Sequence, residues 1–404
     1  MNCLVKVLLG LLVVLLPTSY RVLGGESATW KLDDFEDGDL KAASGLSWFL
    51  LADDVAGGAS EARLEIRKGG AAGSRYALRL TGRLNDSRGW PFAGAWANLD
   101  GSGRSVNLGA FDGIRLRVKG PVRLDVGLRS GMVNFMAEVE ASADWKLVDV
   151  PFASLKPLGK VPEGTRWNPD AVEVLGVTTP QVRGAEAHAA GKVDFELDDV
   201  VLYGRGGGKP APIASGTAGP VSTVPFTPLA SIPTTGWIEL ATDPERDGKT
   251  PSLPDATRLE AIPSSSDGML WIRVTLREPP HDRWMGMNVA LDVDGDPADG
   301  FAWWGANSAF KFDQLVTVWC FRVAEGCQGF IGLADAGQVA SGTVVAGDGR
   351  NVRFAIDKER HTYVVGIPRN SLRLRKGEVR LVAAVGSALL FADDVPGQGA
   401  AILH

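Results

Sequence analysis

The chain has few of the side chains that carry out most enzyme chemistry. Its 404 residues include four histidines, at positions 188, 281, 361 and 404, and none of them has the spacing of metal ligands. The sequence also has no phosphate-binding glycine loop, no dinucleotide fingerprint and no hydrolase nucleophile motif. Acid pairs such as Asp33 and Asp34 remain as a source of glycosidase chemistry. We therefore predict a protein that is not an enzyme, with a glycan-active enzyme as an alternative.

Positive charge and long apolar runs are also scarce. The net charge is −6, and no basic cluster suits nucleic acid, so we predict no nucleic-acid partner. The only long apolar run, Val7 to Leu16, follows Lys6 and precedes the small-residue site Val22 to Gly24. This is the pattern of a secretory signal peptide, and the run is shorter than the ~20 residues of a membrane span. We expect cleavage after residue 24, which removes two basic residues and leaves a charge of −8.

The predicted mature protein is therefore secreted or periplasmic and has no membrane span after cleavage. An uncleaved anchor is the alternative.

Cysteine is rare as well, because Cys3 leaves with the signal peptide and only Cys320 and Cys327 remain. In an oxidising compartment, two cysteines on either side of a Glu-Gly turn predict a disulfide. Two buried thiols are the alternative, since spacing alone does not fix disulfide geometry.

Helical periodicity is hardly present, and short alternating strands take its place. Ile114 to Val118 and Val122 to Arg129 are predicted strands joined by a turn at Gly120-Pro121. Met269 to Leu276 and Leu381 to Val385 have the same pattern. Regularly spaced short strands predict an all-β fold of two antiparallel β-sandwich domains.

Residues 205–235 are rich in Gly, Pro, Ala, Ser and Thr and cannot build a core. We interpret this segment as a semi-extended linker. It separates a first domain, residues 28–204, from a second, residues 236–404.

Two acidic strands begin and end the first domain. Trp30 to Gly38 and Val193 to Gly204 both alternate apolar with acidic residues. If these strands lie together, their carboxylates meet at one edge of the sheet and repel one another unless they are neutralised. Ca²⁺ is a common solution in secreted β-domains. A solvated acidic edge that discourages aggregation is the alternative.

Several motifs in the first domain follow the order found in a known family. They are Asp34-Phe35-Glu36-Asp37-Gly38, Trp48 followed by Asp53 to Ser60, Phe111 to Gly120, Trp145 to Pro157, and the closing acidic strand. With these motifs the domain resembles the complex I intermediate-associated protein family and the family-11 carbohydrate-binding modules. The resemblance implies a galactose-binding-like jelly roll with a structural Ca²⁺ at Glu36 and Asp199. Neighbouring Asp37, Asp39 or Asp198 would add oxygens. The strand after Gly120 lacks the tyrosine common in the assembly-factor branch.

The second domain resembles, more loosely, the family-nine-type carbohydrate-binding sandwiches. The matching segments are Pro254 to Leu259, Met269 to Leu276 and Asn288 to Asp296. The last contains Asp292, Asp294 and Asp296, which begin like an EF-hand loop and then depart from it at Pro297. We predict a calcium loop of another type, with Asp313 as an added ligand, or an ordinary acidic turn.

One polar strand face suits a saccharide. If Ile114, Leu116 and Val118 point inward, the arginines between them point outward. The predicted face, with aromatic residues from a nearby loop, consists of Arg115, Arg117, Arg123, Asp125, Arg129, Asn134, Trp90 and Trp96. Aromatic rings and planar polar groups are typical of sugar sites, but a solvated surface and core tryptophans would give the same pattern. Trp303-Trp304 is a rival platform, with at most one ring exposed.

We therefore predict a non-catalytic protein that binds carbohydrate, as polysaccharide or cell-surface glycan. A protein-binding or assembly role is the main alternative.

Overall fold

The computed structural model describes residues 28–86, 90–120, 123–131, 133–162, 164–180, 191–213, 221–244, 252–305, 307–340, 352–375 and 378–404. The predicted signal peptide and His188 lie outside these ranges. The fold is all-β with antiparallel sheets, which confirms the predicted fold class. Within the described ranges, no helix has the length and apolarity needed to cross a membrane.

The first sandwich consists of two sheets. Its strands are β1 (Ala28–Asp33), β2 (Phe49–Ala52), β3 (Glu61–Lys68), β4 (Tyr76–Leu84), β5 (Ala93–Asn98), β6 (Phe111–Lys119), β7 (Arg123–Ser130), β8 (Val133–Glu140), β9 (Lys146–Pro151), β10 (Lys156–Pro157), β11 (Val172–Thr178) and β12 (Gly191–Gly204). Sheet I has the order β3-β4-β12-β6-β9, with β1 also paired to β12. Sheet II has the order β10-β8-β7-β11-β5-β2.

The second sandwich follows the same plan. Its strands are β13 (Ser222–Val224), β14 (Ile238–Thr242), β15 (Ala256–Ile262), β16 (Met269–Leu276), β17 (Trp284–Asp292), β18 (Phe301–Ala302), β19 (Lys311–Phe312), β20 (Gln314–Val323), β21 (Gly326–Asp335), β22 (Arg353–Asp357), β23 (Thr362–Pro368), β24 (Val379–Gly386), β25 (Phe391–Val395) and β26 (Ala401–Leu403). Sheet III has the order β13-β21-β20-β17-β24-β25, with β26 on β24, and sheet IV has the order β14-β15-β16-β23-β22. Strands β18 and β19 form a small hairpin.

Helical segments are short. They are α1 (Ala336–Ala340) and 3₁₀ turns at Asp53–Ala56, Ala71–Gly73, Phe152–Ser154, Leu229–Ser231 and Arg369–Ser371.

Each core lies between two sheets and is filled by alternate residues of the strands. Ile114, Leu116 and Val118 are fully buried, as the alternation predicts. Met287 and Val289 are likewise alternate residues of one strand that are buried in the core of the second sandwich. Period-two alternation places apolar side chains on one face of each strand, and stacking two such faces buries them together.

Strands β6 and β7, predicted to be neighbours, lie in different sheets. Strand β6 pairs with β12 and β9, whereas β7 pairs with β8 and β11. The prediction was wrong because alternation identifies the buried face of a strand but not its partner. The chain crosses from sheet I to sheet II near Gly120, and residues 121 and 122 lie outside the described ranges.

The predicted linker packs on both sandwiches where it is described. Pro212 forms an isolated bridge with Val106 of the first sandwich. Residues 222–224 form β13 and add an edge strand to β21 of the second. This segment therefore differs from the semi-extended spacer that its composition indicates.

Candidate functional site

The outer face of sheet I is covered by ion pairs. Arg115 Nε is 2.6 Å from Asp149 Oδ1, and Arg115 Nη2 is 2.9 Å from Asp149 Oδ2. Arg117 Nε is 2.9 Å from Asp199 Oδ2. The Arg115 guanidinium holds the pKa of Asp149 below its usual range. Further pairs on this sheet are Arg67 with Glu196 and Arg79 with Asp194. Arg115 and Arg117 thus already have carboxylate partners on a solvated face.

The other predicted sugar-binding residues of the strands lie on the opposite side of the sandwich. Arg123, Asp125, Arg129 and Asn134 belong to β7 and β8, whose alternate residues fill the core beneath sheet II. Arg123 pairs with Glu138 at 3.2 Å. The prediction of one shared face was therefore wrong, because the two strands that carry it belong to opposite sheets.

Sheet II carries a buried tryptophan on its outer face. Trp96 is 2% exposed and packs with Met136. Its six-membered ring lies against Gly176 of the neighbouring strand, where an added Cβ would collide with the ring. Trp90 is half-buried and stacks on Phe92 with ring centroids 6.1 Å apart. Trp96 is therefore a floor for this face rather than the exposed platform expected from sequence.

A cleft separates this floor from the outer face of sheet III. Its first wall is formed by Phe49, Leu51, Trp96, Asn98, Gly103, Arg129, Glu173 and Val174. Its second wall is formed by Val221, Trp319, Phe321, Gln328, Gly329, Phe330, Ala388 and Leu389. We call this the inter-sandwich cleft. Trp319 and Phe330 are only half-buried, so the second wall presents aromatic surface.

Polar groups lie in and beside the inter-sandwich cleft. Arg129 Nε is 3.2 Å from Glu173 Oε2, and burial raises the pKa of Glu173. Within the described residues, two buried polar atoms on this face have no hydrogen-bond partner, Trp96 Nε1 and Asn134 Oδ1. Asn134 lies directly opposite Arg129 across the β7–β8 pair. Aromatic rings, a guanidinium, a carboxyl and an amide therefore occupy one region.

The second sandwich contacts the first along edge strand β2. Just before that strand, Ser47 N donates to Gln328 Oε1 at 2.8 Å, and Gln328 Nε2 donates to Ser47 O at 2.9 Å. Within the strand, Phe49 stacks on Phe321 with centroids 4.9 Å apart. The second sandwich therefore stands on this edge of sheet II.

Asp54 makes the main polar contact just beyond β2. Its Oδ2 accepts a hydrogen bond from Trp284 Nε1 at 2.6 Å and lies 3.2 Å from Arg283 Nη2. His281 Nε2 is 3.4 Å away, and the His281 ring stacks on Trp284. Burial raises the pKa of Asp54 and lowers that of His281 to about 4. Sequence reasoning missed this contact because no local pattern relates residues 230 positions apart.

Part of the predicted calcium set converges on one loop. Glu36 Oε1 accepts a hydrogen bond from Ser74 Oγ at 2.6 Å. An added Cβ on Gly70 would collide with Asp198 Oδ2, Ser74 Oγ and Tyr76 O, so these oxygens surround one glycine. A carboxylate, a hydroxyl and a carbonyl in this arrangement fit the oxygen ligands that Ca²⁺ prefers.

Two members of that set lie elsewhere. Asp199 pairs with Arg117, because Asp199 has a left-handed φ of 49° and the strand register is irregular beside it. Asp37 is exposed and accepts a hydrogen bond from Asp39 N at 3.3 Å. The structure therefore brings Glu36 together with Asp198 rather than with Asp199.

The second acidic cluster is smaller than expected. Asp292, Asp294 and Asp313 place carboxylate oxygens within 4.8 Å of one another, whereas Asp296 is exposed and outside this group. Arg375 Nη1 is 2.9 Å from Asp294 Oδ2. Metal binding at this cluster stays a prediction.

Two features of the second sandwich agree with their sequence patterns. Cys320 and Cys327 form a disulfide between β20 and β21, with Cα atoms 5.5 Å apart. Trp303 is 2% exposed and Trp304 is 44% exposed, so only one ring of that pair faces solvent.

Several solved structures similar to this chain are carbohydrate-binding modules. The family 11 module of the cellulosomal cellulase Lic26A-Cel5E of Clostridium thermocellum is 14% identical, covering 45% of this chain and 96% of that chain with a TM-score of 0.33. A family 11 module from the same organism, in complex with a β-1,3-1,4-mixed-linked tetrasaccharide, is 14% identical over 45% and 98% of the two chains, with a TM-score of 0.34. A family 30 module is 15% identical over 39% and 91%, with a TM-score of 0.30.

No curated protein matches this chain. The family comparison agrees with the resemblance seen in the motifs of the first domain. Residues 34–197 match the model of the family described as Complex I intermediate-associated protein 30 (CIA30).

Proposed function

We propose that this protein binds carbohydrate without catalysis and that the inter-sandwich cleft is the binding site. One observation carries the proposal: the cleft combines accessible aromatic surface with polar side chains in its lining. Trp319 supplies the ring, and Arg129, Glu173 and Asn98 are polar residues of the lining. Aromatic faces pack on the C–H surfaces of sugars, and a few placed polar groups fix their hydroxyls.

Arg129 is the cation best placed to assist. Its Nε is held by Glu173, and its side chain borders the cleft. A guanidinium has five donors, so a single carboxylate contact leaves capacity for hydroxyl oxygens. On sheet I, by contrast, both oxygens of Asp149 engage the Arg115 guanidinium.

We also propose a structural Ca²⁺ held by Glu36 and Asp198, with Ser74 and Tyr76 O as neighbours. Glu36 already pairs with Arg75 Nε at 3.0 Å, and the ion would supply further positive charge to the buried Asp198. Contacts with Ser74 and Arg75 lower the pKa of Glu36 to about 2, so this carboxylate is ionised near neutral pH.

A secreted or periplasmic location is part of the proposal. Two features support it, the predicted signal peptide and the buried cysteine pair.

Protein binding is the second candidate function. Leu389 and Leu390 are 40% and 44% exposed at the turn between β24 and β25, and Leu389 borders the inter-sandwich cleft. Adjacent exposed leucines are typical of contacts with other proteins.

The test is affinity electrophoresis of the chain without residues 1–24. The gels contain mixed-linked β-glucan, xylan or galactomannan. We expect retardation by at least one polysaccharide, with a dissociation constant in the micromolar to millimolar range, about −4 to −8 kcal/mol. Trp319→Ala should lose the retardation, and the matched control Trp304→Ala should keep it.

If Trp319→Ala keeps the binding and Trp304→Ala loses it, the binding site lies on the Trp303-Trp304 platform instead. No retardation in any gel, together with a stoichiometric co-purified protein, would favour the protein-binding alternative.

A further inference from the structure

The outer face of sheet II has two lateral edges, at β10 and at β2. A saccharide chain that crosses the strands from edge to edge needs free space beyond both edges. The second sandwich stands on the β2 edge. Its contacts occupy positions before, within and beyond the strand, and they are Ser47 with Gln328, Phe49 with Phe321, and Asp54 with Trp284.

These contacts form a closed surface rather than isolated touches. Val55, Trp284 and Phe321 are buried in one apolar cluster, against which Phe49 and Leu51 pack. Trp284 and Phe321 are 4% and 8% exposed. Opening this edge would return aromatic surface to water and break the buried hydrogen bond to Asp54, so a sugar chain cannot pass over β2 at small cost.

The cleft is also closed at one end of the strands. Val221 N donates a hydrogen bond to Ser102 O at 2.7 Å, in the loop that follows β5. The Val221 side chain lies so close to Gly103 that an added Cβ there would collide with it. Both Gly103 and Val221 line the cleft. The cleft is therefore bounded on two sides by chain segments of this protein.

An open approach across the strands runs over β8 and β7. Strand order places Asn134 on β8, Arg129 on β7, Val174 on β11 and Trp96 on β5, before the barrier at β2. A ligand on this path contacts the Asn134 amide and the Arg129 guanidinium first. The aromatic contact between Phe49 and Phe321 at β2 blocks it further on.

Granted the proposed function, we propose that the cleft binds the terminal sugars of a glycan chain and excludes internal stretches. An internal stretch that crosses the strands would need to continue through the position of Phe321. The protein therefore binds the ends of chains. A sheet face without the second sandwich would also bind stretches in the middle of a polymer.

The test holds glycan mass and linkage constant and varies the number of chain ends. Mixed-linked β-glucan, xylan and galactomannan are each immobilised intact and after partial endo-hydrolysis, and the bound amount of the chain without residues 1–24 is measured at saturation. We expect the capacity per milligram of glycan to rise in proportion to the number of ends. A capacity that stays the same after fragmentation would overturn end recognition while carbohydrate binding stands. Binding to neither form of any glycan would instead contradict the proposed function.

Two variants test the barrier itself. Phe321→Ala removes the ring that covers Phe49, and Gln328→Ala removes the contact with Ser47 just before the same strand. Both should raise the capacity for intact polymer relative to fragments, and circular dichroism checks that they fold. Arg115→Gln, on sheet I, is the control and should leave the ratio unchanged. An unchanged ratio in both folded cleft variants would overturn the role of the second sandwich as a barrier.

Discussion

The Asp54 carboxylate of the first sandwich accepts a 2.6 Å hydrogen bond from the Trp284 indole of the second. Asp54 and Trp284 are 7% and 4% exposed, so the bond is shielded from water. A buried carboxylate is costly unless donors or positive charge offset it, and Arg283 Nη2 lies 3.2 Å from the same oxygen. This contact fixes the second wall of the cleft relative to the first.

Trp284→Phe should destabilise the protein through this contact. The substitution keeps an aromatic ring but removes the donor, so the free energy of unfolding should fall by about 1–3 kcal/mol. Chemical denaturation provides the measurement. Trp304→Phe, at an exposed ring, is the control and should change the free energy by less than about 0.5 kcal/mol. Equal losses in the two variants would show that the Asp54 bond contributes nothing specific.

Asp33 should make stability depend on pH. Its carboxylate accepts hydrogen bonds from Phe35 N and Trp48 Nε1, both at 2.8 Å, and burial raises its pKa to about 7. The pKa of an unfolded aspartate is about 3.9. Because the folded pKa is the higher one, the contribution of Asp33 is fully present below about pH 4 and is lost as the pH rises toward 7.

Asp33→Asn removes this titration. The stability advantage of wild type over Asp33→Asn should therefore shrink between about pH 4 and 7, by at most about 1.4 kcal/mol per pH unit. Urea unfolding of both proteins across this range provides the measurement. A difference that does not change with pH would contradict the raised pKa.

Gly176→Ala should disturb the floor of the cleft. The added Cβ would collide with the Trp96 ring, and overpacking of this kind costs about 1–3 kcal/mol. We expect a lower melting temperature and a shifted tryptophan emission. Gly208→Ala is the matched control, because nothing lies within 4 Å of a Cβ at that position. Identical melting curves for the two variants would disprove the close contact.

Removal of calcium should lower the melting temperature of the wild-type protein. A ligand that binds only the folded state stabilises that state by mass action. The Glu36→Gln variant should lose the response to chelator. The Asp37→Asn variant, which changes an exposed neighbouring residue, should keep it. An unchanged melt in excess chelator, with no metal found by elemental analysis, would refute the calcium site.

The cysteine pair should be oxidised in the protein isolated from its proposed secreted or periplasmic location. A disulfide that closes a short loop stabilises by roughly 2.5 kcal/mol in the chain-entropy model. Mass spectrometry of non-reduced peptides should find Cys320 and Cys327 in one linked species. Two alkylatable thiols in freshly isolated protein would be the opposite result.

Alternation in the sequence correctly predicted which face of a strand is buried, as Ile114, Leu116 and Val118 illustrate. It did not predict that Arg117 and Arg123 lie on opposite faces of the sandwich. Sheet partners depend on long-range packing, and a short connection between two strands fits both a hairpin and a crossing between sheets. The same limit applies to Asp199, where a local register irregularity reverses the expected direction.

Part of the cleft was visible in the sequence. Arg129 and Trp96 were predicted to bind sugar, and both line the cleft. Trp319 was missed, although its position between the buried Val318 and Cys320 marks it as an outward residue. Its importance comes from the docking of the second sandwich, for which a single sequence holds no short-range signal.

A crystal structure with an oligosaccharide chosen from the electrophoresis screen would locate the ligand. We predict that its terminal sugar lies against Trp319, with hydroxyls in hydrogen-bond contact with Arg129 or Asn134. A sugar bound instead on Trp304 or on the outer face of sheet I would contradict the assignment of the inter-sandwich cleft.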